Sequence, residues 1–264
     1  MTPFAIAGIQ MYVNALQPNT EGMLHRLDIL MARFPWTQMV LFSELAPLGP
    51  LHRFALPLDN EHVAQFQAAA RRHNVWLIPG SMFEKTPDGR VFNTSVVIAP
   101  DGSLVSTYRK MFPFRPYEAD VEAGTEFCVF DVPEVGRFGL SICYDVRFAH
   151  LYRKLAKAGA EILLVPAAFS PVTGEAHWEP LLRARAIENG CFVLAAAQTG
   201  DHPIRSGKPR VTHGHSMVIG PWGNVMVDAG TETGIVYADI DLGEVARARG
   251  RVPSLTHDRP FEGP

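Results

Sequence analysis

The chain alternates short apolar runs with longer segments whose apolar residues recur at helical spacing. Phe4 to Tyr12 is a strand-like run, and Glu21 to Phe34 follows with Met23, Leu24, Leu27, Leu30 and Met31 close to a helical period. Gln38 to Ser43 reads as a second strand, Glu61 to His73 as a helix and Val75 to Met82 as another strand. Between Arg90 and Arg109, two β-rich runs flank Pro100-Asp101-Gly102, a turn whose glycine tolerates positive φ, so the pattern predicts a hairpin. Strands at Phe127 to Val132 and Arg137 to Cys143 lead into an amphipathic helix from Arg147 to Ala158, ended by Gly159. The pattern recurs as strand Glu161 to Pro166, helix His177 to Asn189 and strand Cys191 to Ala197. Hairpin strands His213 to Ile219 and Asn224 to Val227, a strand at Ile235 to Ile240 and a short helix at Leu242 to Arg249 complete it. Two β-rich halves, each with helices, imply an α/β architecture of sheets packed on each other with helices outside. No fixed-period repeat or linker interrupts the pattern, and residues 1–264 read as one domain.

Composition narrows the function classes. Of 264 residues, 47% are hydrophobic and 19% charged, the balance of a globular protein with a sizeable core. The formal charge of −3 comes without a basic patch, which argues against nucleic acid or an anionic membrane surface as partner. Cys128, Cys143 and Cys191 are odd in number and lack C-x-x-C spacing, so neither a disulfide framework nor a cysteine metal site is expected, and a cytoplasmic setting fits best. The N-terminal segment has no basic region before its apolar stretch, and no apolar run approaches the ~20 residues that span a bilayer, so neither a signal peptide nor a membrane span is expected.

Candidate chemistry sits where strands end. Cys143, in GLSICYDVRF, falls at a strand-to-helix junction, where a helix dipole and free N–H groups favour a thiolate; a small buried hydrophobe is the alternative. Glu44 closes the apolar run LFSELAP, either as an exposed strand end or as an acid paired in a cleft. Lys110, in STYRKMFPF, is a solvated loop lysine or an ammonium held among apolar walls. Asp145 and Arg147, beside Cys143, are expected to form a supporting ion pair. His213 and His215 alternate on a predicted strand and would share a face, but no third ligand stands at metal-site spacing, so no metal and no cofactor is implied.

The segments LFSELAP, STYRKMFPF and GLSICYDVRF resemble, in order and spacing, the Glu, Lys and Cys motifs of the nitrilase-like (carbon-nitrogen hydrolase) superfamily. VPAAFSPVTGEAHWEPLLRARAIENGCFVLAAAQTG and GHSMVIGPWGNVMVDAG resemble downstream motifs of its Nit branch. The resemblance implies a four-layer αββα sandwich and a Glu44, Lys110, Cys143 set, with Cys143 the nucleophile, Glu44 the base and Lys110 an oxyanion stabiliser beside the Tyr144 N–H. It carries Glu118, in PFRPYEADVEAG, over as a second glutamate that positions substrate and assists proton transfer, and Phe114, Tyr144 and Phe169 as pocket residues. The CYD after the nucleophile resembles amidases of the Nit and ω-amidase branches rather than nitrilases, and FSPVTGEAHWEPLLRARAIE resembles the deaminated-glutathione amidases. KMFPFRPYEADVEAG, by contrast, is more similar to the loop of aliphatic-amidase-like members. The implied activity is hydrolysis of a small carboxamide, deaminated glutathione or another ω-amide, through a thioester. A nitrilase or N-carbamoyl hydrolase with the same set, or a non-catalytic binding member, are the alternatives. A carboxylate on the substrate would call for a cation, for which Arg147, Arg183 and Arg205 are candidates. The resemblance also implies a homodimer or higher homo-oligomer, paired through the helices of Arg147 to Ala158 and His177 to Asn189.

Overall fold

The computed structural model describes residues 3–115, 117–202, 210–260 and 262. The chain opens with β1 (Phe4–Gln10), α1 (Thr20–Arg33), β2 (Met39–Leu41), α2 (Glu61–His73), β3 (Trp76–Ile78) and β4 (Met82–Lys85), then the hairpin β5 (Val91–Ile98) and β6 (Leu104–Arg109). It continues with β7 (Cys128–Val132), β8 (Gly136–Leu140), α3 (Ala149–Lys157), β9 (Ile162–Ala167), α4 (Pro171–Asn189) and β10 (Phe192–Ala197). β11 (Thr199–His202) pairs with β12 (Arg210–His213), and β13 (Met217–Ile219), β14 (Val225–Asp228), β15 (Gly234–Ile240) and α5 (Gly243–Arg251) follow.

One sheet runs β15-β1-β2-β3-β5-β4 with β6 also on β5, and the other runs β14-β13-β10-β9-β8-β7. The central strands are parallel and buried along their whole length, which is why they read as continuous apolar runs rather than alternating ones. Between the sheets, Ile6, Met39, Leu41 and Ile78 pack against Leu140, Ile162, Leu164 and Leu194. Met23, Leu27, Leu30 and Phe66 of α1 and α2 cover the outer face of the first sheet. Leu151, Tyr152, Leu155, Trp178 and Leu182 of α3 and α4 cover the second, giving the αββα layering. Gly8 marks the close approach of the sheets, since a Cβ there would sit 3.3 Å from Leu194 Cδ1 of the other sheet, besides 2.9 Å from Val236 Cγ2 on the neighbouring strand. Among the described residues no helix is long and apolar enough to cross a membrane.

Besides α4, which begins at Pro171 rather than His177, and the added β11–β12 pair, three segments differ from the sequence pattern. The run Val75 to Met82 divides into β3 and β4 at Gly80, whose φ of +80° and contact with the Ser43 carbonyl leave no room for a side chain. The run His213 to Ile219 breaks at Gly214 and His215, both at positive φ, so the two histidines do not share a strand. The predicted helix Arg147 to Ala158 becomes a 3₁₀ turn, Cys143–Arg147, followed by α3.

Candidate active site

Four titratable side chains converge beyond strand ends: Glu44 after β2, Lys110 after β6, Cys143 after β8 and Glu118 in the loop between β6 and β7. Glu44, Lys110 and Glu118 are buried, which such groups tolerate only when paired. The Lys110 ammonium donates to Glu44 Oε1 and to Glu118 Oε2, each at 2.7 Å. Burial acts to strip its proton, but the neighbouring Glu44 and Glu118 carboxylates outweigh that and hold it above its ordinary value, so Lys110 is charged. Burial likewise works against the Glu118 carboxylate, yet Lys110, Asn93 and the Phe114 N–H, the last at 2.6 Å, keep it below the usual range. The main chain is pinned too: Gln198 Nε2 donates to the Glu44 carbonyl at 2.6 Å, and Lys110 N donates to the Asn93 carbonyl at 2.8 Å.

Cys143 opens the 3₁₀ turn with φ +48°, a left-handed conformation that a non-glycine residue adopts only when its surroundings impose it. Its thiol is half-buried by surface area and lies beside Glu44. Burial and then the Glu44 charge push that thiol well above its ordinary value, against the pull of Lys110 and the Ala168 amide. The helix start expected at Cys143 is corrected to a single 3₁₀ turn, and the neighbouring carboxylate works against a thiolate there. Cys128 and Cys191 are buried in the core, with the Cys191 thiol pushed up to about 11.

Asp145 and Arg147 do not pair. Asp145 is fully buried and turns back on its own segment, accepting from the Ile142 N–H at 2.8 Å, Tyr108 Oη at 2.7 Å and the Phe112 N–H at 3.0 Å. Burial raises its carboxyl to about 7 in spite of these donors and of Lys110. Arg147 faces the other way, 5.8 Å from the Tyr144 ring centroid and 5.3 Å from that of Phe169, with Nη1 at 3.2 Å from His177 Nδ1. Among the described residues it forms no ion pair with a carboxylate.

The sequence-derived pocket residues fall around this turn. Phe114 packs on Tyr144 with ring centroids 4.7 Å apart, and Phe169, buried against Trp178 at 4.6 Å, lies under the Arg147 guanidinium. Arg183 is tied to Glu179 at 3.1 Å and to the Gly223 carbonyl at 2.8 Å on the outer side of α4, while Arg205 lies outside the described residues. The His213 and His215 rings stack at 4.5 Å and, with Glu175 and Glu232, line a cavity of about 350 Å³ next to Phe169, whose carbonyl accepts the His213 N–H at 2.8 Å. Two contributors escaped the sequence reading, Asn93 and Gln198. The available signal for Asn93 was a strand-averse amide inside the β run VFNTSVVI.

The family model described as carbon-nitrogen hydrolase matches residues 5–250. The chain is 40% identical to a deaminated glutathione amidase of Dictyostelium discoideum over 80% of this chain and 78% of that protein. It is 34% identical to an omega-amidase of Pongo abelii, covering 98% of this chain and 96% of that one. Among solved structures, Saccharomyces cerevisiae Nit3, a member of branch 10 of the nitrilase superfamily, superposes with a TM-score of 0.85 at 27% identity, covering 96% of this chain and 95% of the other.

Proposed function

The chain belongs to the carbon-nitrogen hydrolase family, and from that premise we propose that it is an amidase that cleaves a small carboxylate-bearing carboxamide through a thioester on Cys143. The observation that carries this reading is the Lys110 ammonium shared between Glu44 and Glu118 beside Cys143, whose thiol burial and Glu44 hold above its ordinary value. A neutral thiol needs a base. Glu44 takes the Sγ–H proton as sulfur attacks the carbonyl carbon, and the carbonyl oxygen becomes an oxyanion. Two of the three Lys110 N–H bonds go to the glutamates, leaving one to meet that oxygen in a water-poor site. Collapse of the adduct breaks the C–N bond as Glu44 returns the proton to the leaving nitrogen, releasing ammonia or an amine. Water then attacks the thioester with Glu44 again as base, and the carboxylic product leaves as the thiol re-forms. Glu118, committed to Lys110, Asn93 and the Phe114 N–H, holds the lysine rather than moving a proton.

Arg147 supports the carboxylate-bearing class: its guanidinium flanks two pocket aromatics and has no acidic partner among the described residues, whereas Arg183 is already engaged. Deaminated glutathione and other ω-amides of keto acids have this character, which agrees with the names of the relatives. We also propose self-association through the outer face of α4. Ammonia release from a panel of ω-amides, simple aliphatic amides, nitriles and carbamoyl compounds tests the activity. The ω-amides are expected to turn over fastest, Arg147→Leu to raise their KM selectively, and Cys143→Ala to abolish turnover. Full turnover by Cys143→Ala, or nitriles as the best substrates, would refute the reading.

A further inference from the structure

One amide lies between the two glutamates. Asn93 stands inside β5, fully buried, and both N–H bonds of its side chain go to carboxylates: 3.0 Å to Glu44 Oε1 and 2.8 Å to Glu118 Oε1. Its backbone carbonyl accepts the Lys110 N–H at 2.8 Å. A single residue thus grips the main chain of the lysine and the side chains of both its anionic partners. Asn93 Oδ1 meets no donor among the described residues, so the side chain is held through its NH₂ alone. Turning the amide over would aim that oxygen at two carboxylates, and the observed orientation is the one electrostatics allows.

Building on the amidase reading, we propose that Asn93 is a positioning residue that commits one oxygen of Glu44 so that the other is presented to Cys143. The count of donors supports this. Glu44 Oε1 receives Lys110 and Asn93, Glu118 Oε1 receives Asn93, and Glu118 Oε2 receives Lys110 and the Phe114 N–H. Oε2 of Glu44 is left for the thiol proton. Without Asn93, Glu44 keeps one tether, and its terminal torsion, broad and two-fold by nature, is free to exchange the two oxygens. Glu44 also loses the Asn93 dipole that partly offsets its charge, so the field at the sulfur becomes more negative and the thiolate is disfavoured.

The test compares wild type with Asn93→Leu, which keeps the volume without donors, and Asn93→Ser, which keeps one short donor. Iodoacetamide labelling of Cys143, followed by mass spectrometry across pH, needs no substrate; kcat, KM and the thermal midpoint are measured beside it. In the folded variants kcat is expected to fall about 10–100-fold with little change in KM. The labelling profile is expected to move to higher pH by about one unit. A folded variant with an unshifted labelling profile would overturn the proposal, whatever its kcat, because a merely structural loss would not move that profile. Failure of both variants to fold would also overturn it, assigning Asn93 to the core instead. If wild type cleaves no amide of the panel, the amidase reading fails, while the labelling profile still decides the role of Asn93.

Discussion

Lys110 is the cation that the two buried carboxylates of the site share. Lys110→Gln is expected to slow single-turnover acylation by roughly 10²–10³ while leaving substrate affinity much less changed. It should also destabilise the fold by about 3–5 kcal/mol, because the carboxylates stay buried without their cation. Lys110→Arg should rescue poorly, a planar guanidinium placing its donors elsewhere; near-normal acylation by the Gln variant would remove Lys110 from the chemistry. Asp145 gives a pH signature. Its folded-state value of about 7 lies above the ordinary carboxylate range of about 4. Its contribution to stability is therefore fully present below about pH 4 and lost as pH rises through about 7. The thermal midpoint of wild type should fall more steeply between about pH 4 and 7 than that of Asp145→Asn, and run parallel to it above that range. The Asn variant should also melt lower throughout, because its NH₂ would face the Ile142 or Phe112 N–H; equal slopes would show that Asp145 does not titrate there. Glu44, Lys110 and Cys143 were legible through the ordered segments LFSELAP, STYRKMFPF and GLSICYDVRF, none of which stands out alone, whereas Asn93 and Gln198 act across the fold and leave little local trace. Sequence proximity suggested an Asp145–Arg147 pair, but the 3₁₀ turn sends the carboxylate back to its own backbone and the guanidinium toward α4.

The turn that carries Cys143 is strained on purpose of geometry, with a left-handed φ of +48° at a residue that has a Cβ. Such a conformation costs about 1–2 kcal/mol, of which glycine would recover part after its own entropic penalty of about 0.5–1 kcal/mol. Cys143→Gly is therefore expected to resist urea better than Cys143→Ala, by up to about 1 kcal/mol, with both variants inactive. An Ala variant as stable as the Gly variant would show that the surrounding packing, not the residue, bears the strain. The same element explains the mixed legibility of the fold. Strands buried on both faces were plain as apolar runs, and the β5–β6 hairpin followed from its turn residues. The breaks at Gly80 and at Gly214-His215 were not, because distant backbone sets them: Gly80 must clear the Ser43 carbonyl, and His215 N donates to the Gly230 carbonyl at 2.7 Å.

At the scale of the whole molecule, the αββα layering leaves two outer helical faces, and they are not alike. Ile187 of α4 is 53% exposed, Trp222 58% and Val252 53%. The three belong to adjoining pieces of surface: Ile187 packs on the turn at Gly223, Arg183 Nε donates to the Gly223 carbonyl at 2.8 Å, and Ser254 Oγ donates to the Glu188 carbonyl at 2.8 Å. Apolar side chains grouped in this way and rimmed by Glu244, Arg247 and Arg251 suit a symmetric contact with a second copy. A stable dimer would bury about 800 Å² on each partner, which reaches beyond these residues along α4. Sedimentation equilibrium at micromolar concentration is expected to give twice the chain mass for wild type. Ile187→Glu, which places a charge in the middle of the contact, should shift the distribution toward monomer. Trp36, equally exposed at 58% but following α1 on the other helical layer, serves as the control: Trp36→Ser should leave the dimer intact. A monomeric wild type would end the proposal of self-association, and dissociation by Trp36→Ser but not by Ile187→Glu would move the contact to the opposite face.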